Sequence, residues 1–215
     1  MKPGSAGRLL LWTSLFGVAF ALVEASVVVY LRALYYPAGF EFPLRLLTMN
    51  HLGIELAREA ATIVMLLAVG AIAGRAKWDK FGFFLVAFGV WDIFYYFWLK
   101  MFLGWPATVV DWDVLFLLPI PWIGPVIAPV VISLLMIYCG ATIVRRIDAE
   151  DPFAPGWQSW MFAIIATAIL LFSFMIDTDA ILHEAMPKPY RYELLGLGLV
   201  LYGLSFFLAC RTKRP

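Results

Sequence analysis

The chain has 215 residues, of which 63% are hydrophobic and only 14% are charged. A soluble domain of this size needs more polar surface than this composition offers, so water is not its main solvent. The 16 Lys and Arg residues against 15 Asp and Glu residues give a net charge of +1, which excludes the overall basic field that binds nucleic acid.

Six apolar segments are each long enough to cross a bilayer, since a helix rising about 1.5 Å per residue needs roughly 20 apolar residues. The sequence therefore predicts an all-α polytopic membrane helix bundle, with residues 1–215 forming a single integral membrane domain. We interpret the first segment as a retained span, because its apolar run is longer than that of a cleaved leader. The predicted spans are residues 9–34, 52–73, 81–103, 122–144, 157–176 and 192–210.

The distribution of Lys and Arg predicts the orientation of these spans. The amino-terminal side of the predicted bundle carries ten basic residues and the other side carries five. Cytoplasmic loops collect Lys and Arg, so we expect both termini in the cytoplasm and a bacterial-type cytoplasmic (inner) membrane as the location. Cys139 and Cys210 then fall near cytoplasmic helix ends, where thiols stay reduced, and we interpret both as packing residues.

Two local patterns refine the predicted bundle. Residues 111–118 are too apolar for a solvated loop and too short to span, and Pro119 and Pro121 follow them. They predict a short interfacial or re-entrant helix before the fourth span. Small residues that allow close helix contact recur in three spans. They are Gly17, Ala21 and Ala25 in the first, Gly82 and Gly89 in the third, and Gly196 and Gly203 in the last.

Three carboxylates lie inside predicted spans, where an ionisable group is costly unless it is paired or hydrated. Counting residues from the outer helix ends places Glu24, Glu59 and Asp92 at a shared depth of roughly 12 to 16 Å. Because they come from three different helices, this shared depth indicates a polar site in the outward-facing half of the bundle.

Imidazole groups lie on the same side as these acids. His51, Glu55 and Glu59 recur at fourfold spacing on one helix face, and Asp177 and His183 follow the fifth span. Carboxylate and imidazole together suit iron, manganese or zinc, so we expect a divalent metal here, with Glu55 or Asp177 as a base. The predicted metal ligands are Glu24, Glu59, Asp92, His51 and His183.

Three functions are compatible with this site. The first is a metal-dependent membrane-embedded enzyme acting on a lipid-soluble or periplasmic substrate. The second is a proton- or cation-coupled transporter or channel that uses the same acids as carriers. The third is a non-catalytic subunit or assembly factor, in a membrane complex or a homo-oligomer, with Arg58 neutralising the acids as a structural ion pair. The lipid bilayer is a partner in each of the three, and no nucleic acid is expected.

Overall fold

The computed structural model describes residues 5–36, 49–151, 153–183 and 185–211. The basic residues predicted near both termini, at residues 1–4 and 212–215, lie outside the described residues. The described elements, in chain order, are α1 Ser5–Tyr35, α2 Met49–Ala73, α3 Lys77–Leu103, β1 Trp112–Phe116, β2 Trp122–Pro125, α4 Ile127–Asp148, α5 Trp157–Met175, α6 Thr178–Leu182 and α7 Tyr192–Arg211.

Six described helices, α1 to α5 and α7, are long and apolar enough to cross a membrane. Their positions confirm the mostly helical bundle and the six predicted apolar segments. Large apolar side chains cover their outer faces, including Trp12, Ile72 and Ile164, which are 63%, 84% and 64% exposed. This arrangement is consistent with a multi-pass membrane protein, because such a surface is unfavourable in water.

The short helix predicted over residues 111–118 is wrong, because β1 runs through this segment and pairs antiparallel with β2. The predicted fourth span, 122–144, consequently begins later, at Ile127. Pro119 and Pro121 prevent a helix from continuing, and the aromatic and β-branched residues on both sides of them suit a strand. The segment is apolar because the hairpin packs inside the protein, where Ile123 is 1% exposed.

Helix α3 is the centre of the bundle and packs against α1, α2 and α4. Glycines allow the close approach of α3 and α4. An added Cβ at Gly89 would lie 2.6 Å from the carbonyl oxygen of Ser133, and one at Gly82 would lie 2.9 Å from that of Gly140. Gly17 of α1 meets α3 in the same way, with Ala87 O 3.1 Å from the built Cβ. The small-residue contacts predicted for the first and third spans are therefore confirmed.

Helices α5 and α7 pack against each other beside this group. Their contact uses Gly198, where an added Cβ would lie 2.6 Å from Leu170. The predicted use of Gly196 and Gly203 is wrong, since nothing among the described residues lies within 4 Å of a Cβ built on either. The hairpin connects the two groups of helices, because β2 contacts both α4 and α5.

We predict that Gly89→Ala lowers the free energy of unfolding in detergent by about 1–3 kcal/mol. The new methyl group would press on a backbone carbonyl of α4, which cannot move aside as a flexible side chain would. Gly203→Ala is the matched control, with unchanged or slightly higher stability because its methyl group meets open space. Thermal unfolding of both variants checks this, and equal stability of the two would contradict the described α3–α4 contact.

Candidate functional site

A cavity of about 50 Å³ lies between α1, α2, α3 and the hairpin strand β1, and we call it the polar chamber. One buried water needs about 10–15 Å³, so the chamber has room for a few waters or a small ion. Its lining combines ionisable, hydroxyl and aromatic groups, namely Glu24, Arg58, Glu59, Thr62, Trp91, Asp92, Tyr95, Tyr96 and residues 114–116.

Helical spacing explains how these side chains meet. On α2, Glu55, Arg58, Glu59 and Thr62 follow each other at intervals of three, one and three residues, which keeps them on one face. Glu59 lies about 21 Å from the last residue of α2, and Asp92 lies about 22 Å from the first residue of α3. Equal height along neighbouring helices thus brings the two acids to one level, where Glu24 of α1 joins them.

The guanidinium of Arg58 lies between two carboxylates. It donates to Glu24 on α1 and to Glu55 on its own helix, with Nε 2.9 Å and one terminal nitrogen 2.8 Å from Glu55 Oε2. The side chains of Glu24 and Glu55 are only 5% and 7% exposed. Arg58 therefore satisfies two buried charges and ties α1 to α2, which is the arrangement expected for the structural ion pair.

Glu59 and Asp92 each accept hydrogen bonds, but within the described part of the chain no ion pair joins either carboxylate to a basic residue. The backbone N–H of Leu117, just past β1, lies 3.1 and 2.9 Å from the two carboxylate oxygens of Glu59. Ser133 Oγ of α4 donates to Asp92 over 2.9 Å. Glu59 thus holds the hairpin onto α2, and Asp92 joins α3 to α4.

One residue that lines the chamber, Trp91, has an unused donor. Trp91 is 7% exposed, and its Nε1 has no hydrogen-bond partner among the described residues. A buried N–H normally finds an acceptor, protein or water. The carboxyl oxygens of Glu59 and Asp92, which also line the chamber, suit a hydrated occupant that donates hydrogen bonds.

A second buried ion pair, between Arg32 and Asp113, lies next to the chamber. An Arg32 nitrogen is 3.5 Å from Asp113 Oδ1, and its guanidinium carbon is 3.8 Å from the ring centroid of Trp105. Burial raises the pKa of Asp113 to about 6, although the charge of Arg32 and a hydrogen bond from Tyr96 oppose this. Sequence reasoning missed the pair, and its signal was the interruption of the apolar first span by Arg32.

The other predicted site residues lie away from the chamber. His51 Nδ1 bonds to the hydroxyl of Tyr35, about 12 Å along α2 from Glu59. His183 is exposed and contacts Asp179, with Nδ1 3.1 Å from Asp179 Oδ1. Asp177 lines a different small cavity, beside Trp112.

The predicted metal centre and base therefore receive little support. Of the five proposed ligands, the structure brings together Glu24, Glu59 and Asp92, while His51 and His183 lie elsewhere. In the described ranges, no group of three or more His, Cys, Asp or Glu side chains is placed to hold a metal ion. Arg58 supplies the positive charge next to Glu24, and Glu55, one of the two proposed bases, is engaged by the same guanidinium.

We predict that Arg58→Met lowers the free energy of unfolding by about 3–5 kcal/mol, because Glu24 and Glu55 would remain buried without a cation. Adding Glu24→Gln should recover part of this loss by removing one of the two charges. Arg191→Met is the control, since its partner Glu193 and Arg191 itself are both 65% exposed, and we expect less than about 1 kcal/mol there. Denaturant titration in mild detergent measures all three, and wild-type stability of Arg58→Met would contradict the bridging role.

Comparison with known proteins assigns no family to this geometry. No protein-family model, curated protein or solved structure matches the chain.

Proposed function

We propose that the chain is a multi-pass protein of a cytoplasmic membrane whose polar chamber binds a proton or a small cation from the outer side. This binding is the first step of coupled transport. Both termini lie in the cytoplasm, and the hairpin faces outward.

The observation that carries this proposal is the charge imbalance around the chamber. Glu24, Glu55, Glu59 and Asp92 are each at most 9% exposed, and Arg58 is the basic residue in direct contact with two of them. An ionised carboxylate removed from water costs several kcal/mol unless a positive charge compensates it. Two carboxyl groups, those of Glu59 and Asp92, thus remain to be neutralised by protons or by a bound cation.

Described basic residues support the proposed orientation. They are numerous at the helix ends opposite the hairpin, where Arg75, Lys77 and Lys80 flank the start of α3, and Arg145 and Arg146 end α4. Cytoplasmic ends of spanning helices are rich in Lys and Arg. The chamber then faces the outer side, with the side chain of Arg58, 23% exposed, at its edge.

The half of the bundle below the chamber favours a carrier over an open channel. Apolar side chains fill the space between α1, α2 and α3 there, and Phe83, Leu66 and Ala87 are fully buried. A conducting pore needs polar groups or water along its length. An ion bound in the chamber can therefore cross only if the helices rearrange, which is how alternating-access carriers work.

The metal-dependent enzyme and the non-catalytic subunit remain predictions from sequence. Neither gains a specific observation among the described residues: the histidines lie away from the acids, and the exposed apolar surface is accounted for by lipid. The charge imbalance, in contrast, supports a proton or a small cation as the occupant of the chamber.

We predict that Glu59→Gln and Asp92→Asn each abolish ion uptake into proteoliposomes. Both replacements keep an oxygen that can accept from Leu117 N–H or Ser133 Oγ, so the fold is retained while the negative charge is lost. Proton uptake is followed with a pH-sensitive dye, and sodium or potassium uptake is followed with the radioactive ion. Each uptake is measured against an outward gradient of one of the other two ions, which supplies the driving force.

Glu193→Gln is the matched control, because this carboxylate is 65% exposed at the start of α7. It should transport as the wild type does. Unchanged uptake of all three ions in Glu59→Gln and Asp92→Asn, with the wild type active, would refute the chamber as the binding site. A wild-type protein that moves none of the three ions and is not stabilised by them against heat would refute the proposal as a whole.

A further inference from the structure

A second, larger cavity lies in the half of the bundle opposite the hairpin, and we call it the apolar groove. Its volume is about 260 Å³, and side chains from α3, α4, α5 and α7 line it. Leu85, Met136, Ala163 and Phe206 form its walls, and Phe153 closes the end nearest the inner loops. The groove therefore separates the α1–α4 group from the α5–α7 pair within the predicted hydrocarbon layer.

One polar atom in the groove lacks a partner. Ser159 is 2% exposed, and its Oγ forms no hydrogen bond within the described part of the chain. Its backbone oxygen already accepts from Ser205 Oγ over 2.7 Å. Ser159 lies in the first turn of α5, and a buried hydroxyl at such a place calls for an acceptor from an occupant of the groove.

The mouth of the groove is aromatic and bordered by positive charge. Phe81 and Trp160 line the groove and remain 42% and 49% exposed, which leaves an opening between α3 and α5. Lys77 Nζ lies 5.0 Å from the ring centroid of Trp78, which also lines the groove, and the exposed Lys80 is one residue from Phe81. This combination of an aromatic rim with lysines is typical of the level at which lipid headgroups lie.

We propose that the apolar groove binds one acyl chain of an anionic phospholipid from the adjoining leaflet. The chain lies along Leu85, Met136 and Ala163, the ester carbonyl accepts from Ser159 Oγ, and the phosphate lies near Lys77 and Lys80. An apolar cavity of about 150 Å³ already binds benzene, so 260 Å³ offers room for a longer section of hydrocarbon. Water cannot fill so apolar a space in its place.

The arrangement of chemistry along the groove selects a phospholipid over a headgroup-free hydrocarbon. The apolar walls lie deeper in the bundle, the unpartnered hydroxyl lies one turn from the end of α5, and the lysines lie beyond it. A glycerophospholipid has the same order of acyl chain, ester and phosphate. This inference is independent of ion binding in the polar chamber.

Native mass spectrometry of the purified full chain in mild detergent tests the proposal. Phosphatidylglycerol and phosphatidylcholine with identical acyl chains are titrated in turn, and the affinity of the first bound lipid is compared. Ala163→Phe fills the groove, while Ile164→Phe places the same ring on the neighbouring residue, which is 64% exposed on the outer face. Lys77→Gln with Lys80→Gln removes the charge at the mouth without touching the walls.

For the wild type we expect one phosphatidylglycerol bound more tightly than all later lipids. Ala163→Phe should weaken this first event by about tenfold or more, and Ile164→Phe should leave it unchanged. The wild type should prefer phosphatidylglycerol to phosphatidylcholine by up to about thirtyfold, and the double lysine variant should lose this preference. Ser159→Ala should weaken both lipids alike, since it removes the donor to the ester.

Equal lipid binding by Ala163→Phe and the wild type would overturn the proposal, because lipid would then adhere only to the outer surface. Equal affinities of the wild type for the two headgroups would overturn its anionic part. Because the large ring in Ala163→Phe can also disturb the fold, Ala163→Leu is a second variant that fills the groove with a smaller side chain. A thermally stable Ala163→Leu protein should also bind the first lipid more weakly than the wild type.

Discussion

The contact on which the described arrangement depends is the guanidinium of Arg58 between Glu24 and Glu55. Carboxylates in the apolar interior of a bundle are unfavourable unless a positive charge compensates them, and Arg58 compensates two at once. Because Glu24 is on α1 while Arg58 is on α2, the same contact fixes how these two helices stand around α3. The level of this contact also determines the level of the polar chamber.

The hairpin closes the side of the polar chamber that α1, α2 and α3 leave open. Its first strand closes one wall of the chamber, and the N–H of Leu117 at its end binds both oxygens of Glu59. Its second strand packs on the other helix pair, where Gly124 lets the backbone lie against Phe174, 3.1 Å from the position of an added Cβ. A rearrangement of the two helix groups would therefore act directly on Glu59. In the proposed carrier, this link is a physical route between ion binding and helix movement.

The sequence predicted the helical elements and the polar helix faces well, for physical reasons. Long apolar runs of helical spacing have few alternatives to a bundle, and the interval of four residues predicted that Glu55 and Glu59 share one face of their helix. The hairpin was missed because a short apolar segment followed by prolines is compatible with either helix or strand. The elements that pack against it decide between the two, and the sequence does not show them. The metal centre received little support because depth along a helix says nothing about the direction of His51 or His183.

Infrared difference spectroscopy of the protein in lipid, recorded with and without sodium across a pH series, detects whether the carboxyl groups of Glu59 and Asp92 are protonated and whether a cation displaces the proton. We expect a protonated-carboxyl band near neutral pH that diminishes when a cation binds, and that is reduced in Glu59→Gln and in Asp92→Asn. Spectra in which both carboxyl groups are ionised at neutral pH, with no cation bound, would contradict it. The buried negative charge would then be balanced by the protein itself, leaving the chamber with no requirement for a proton or a cation.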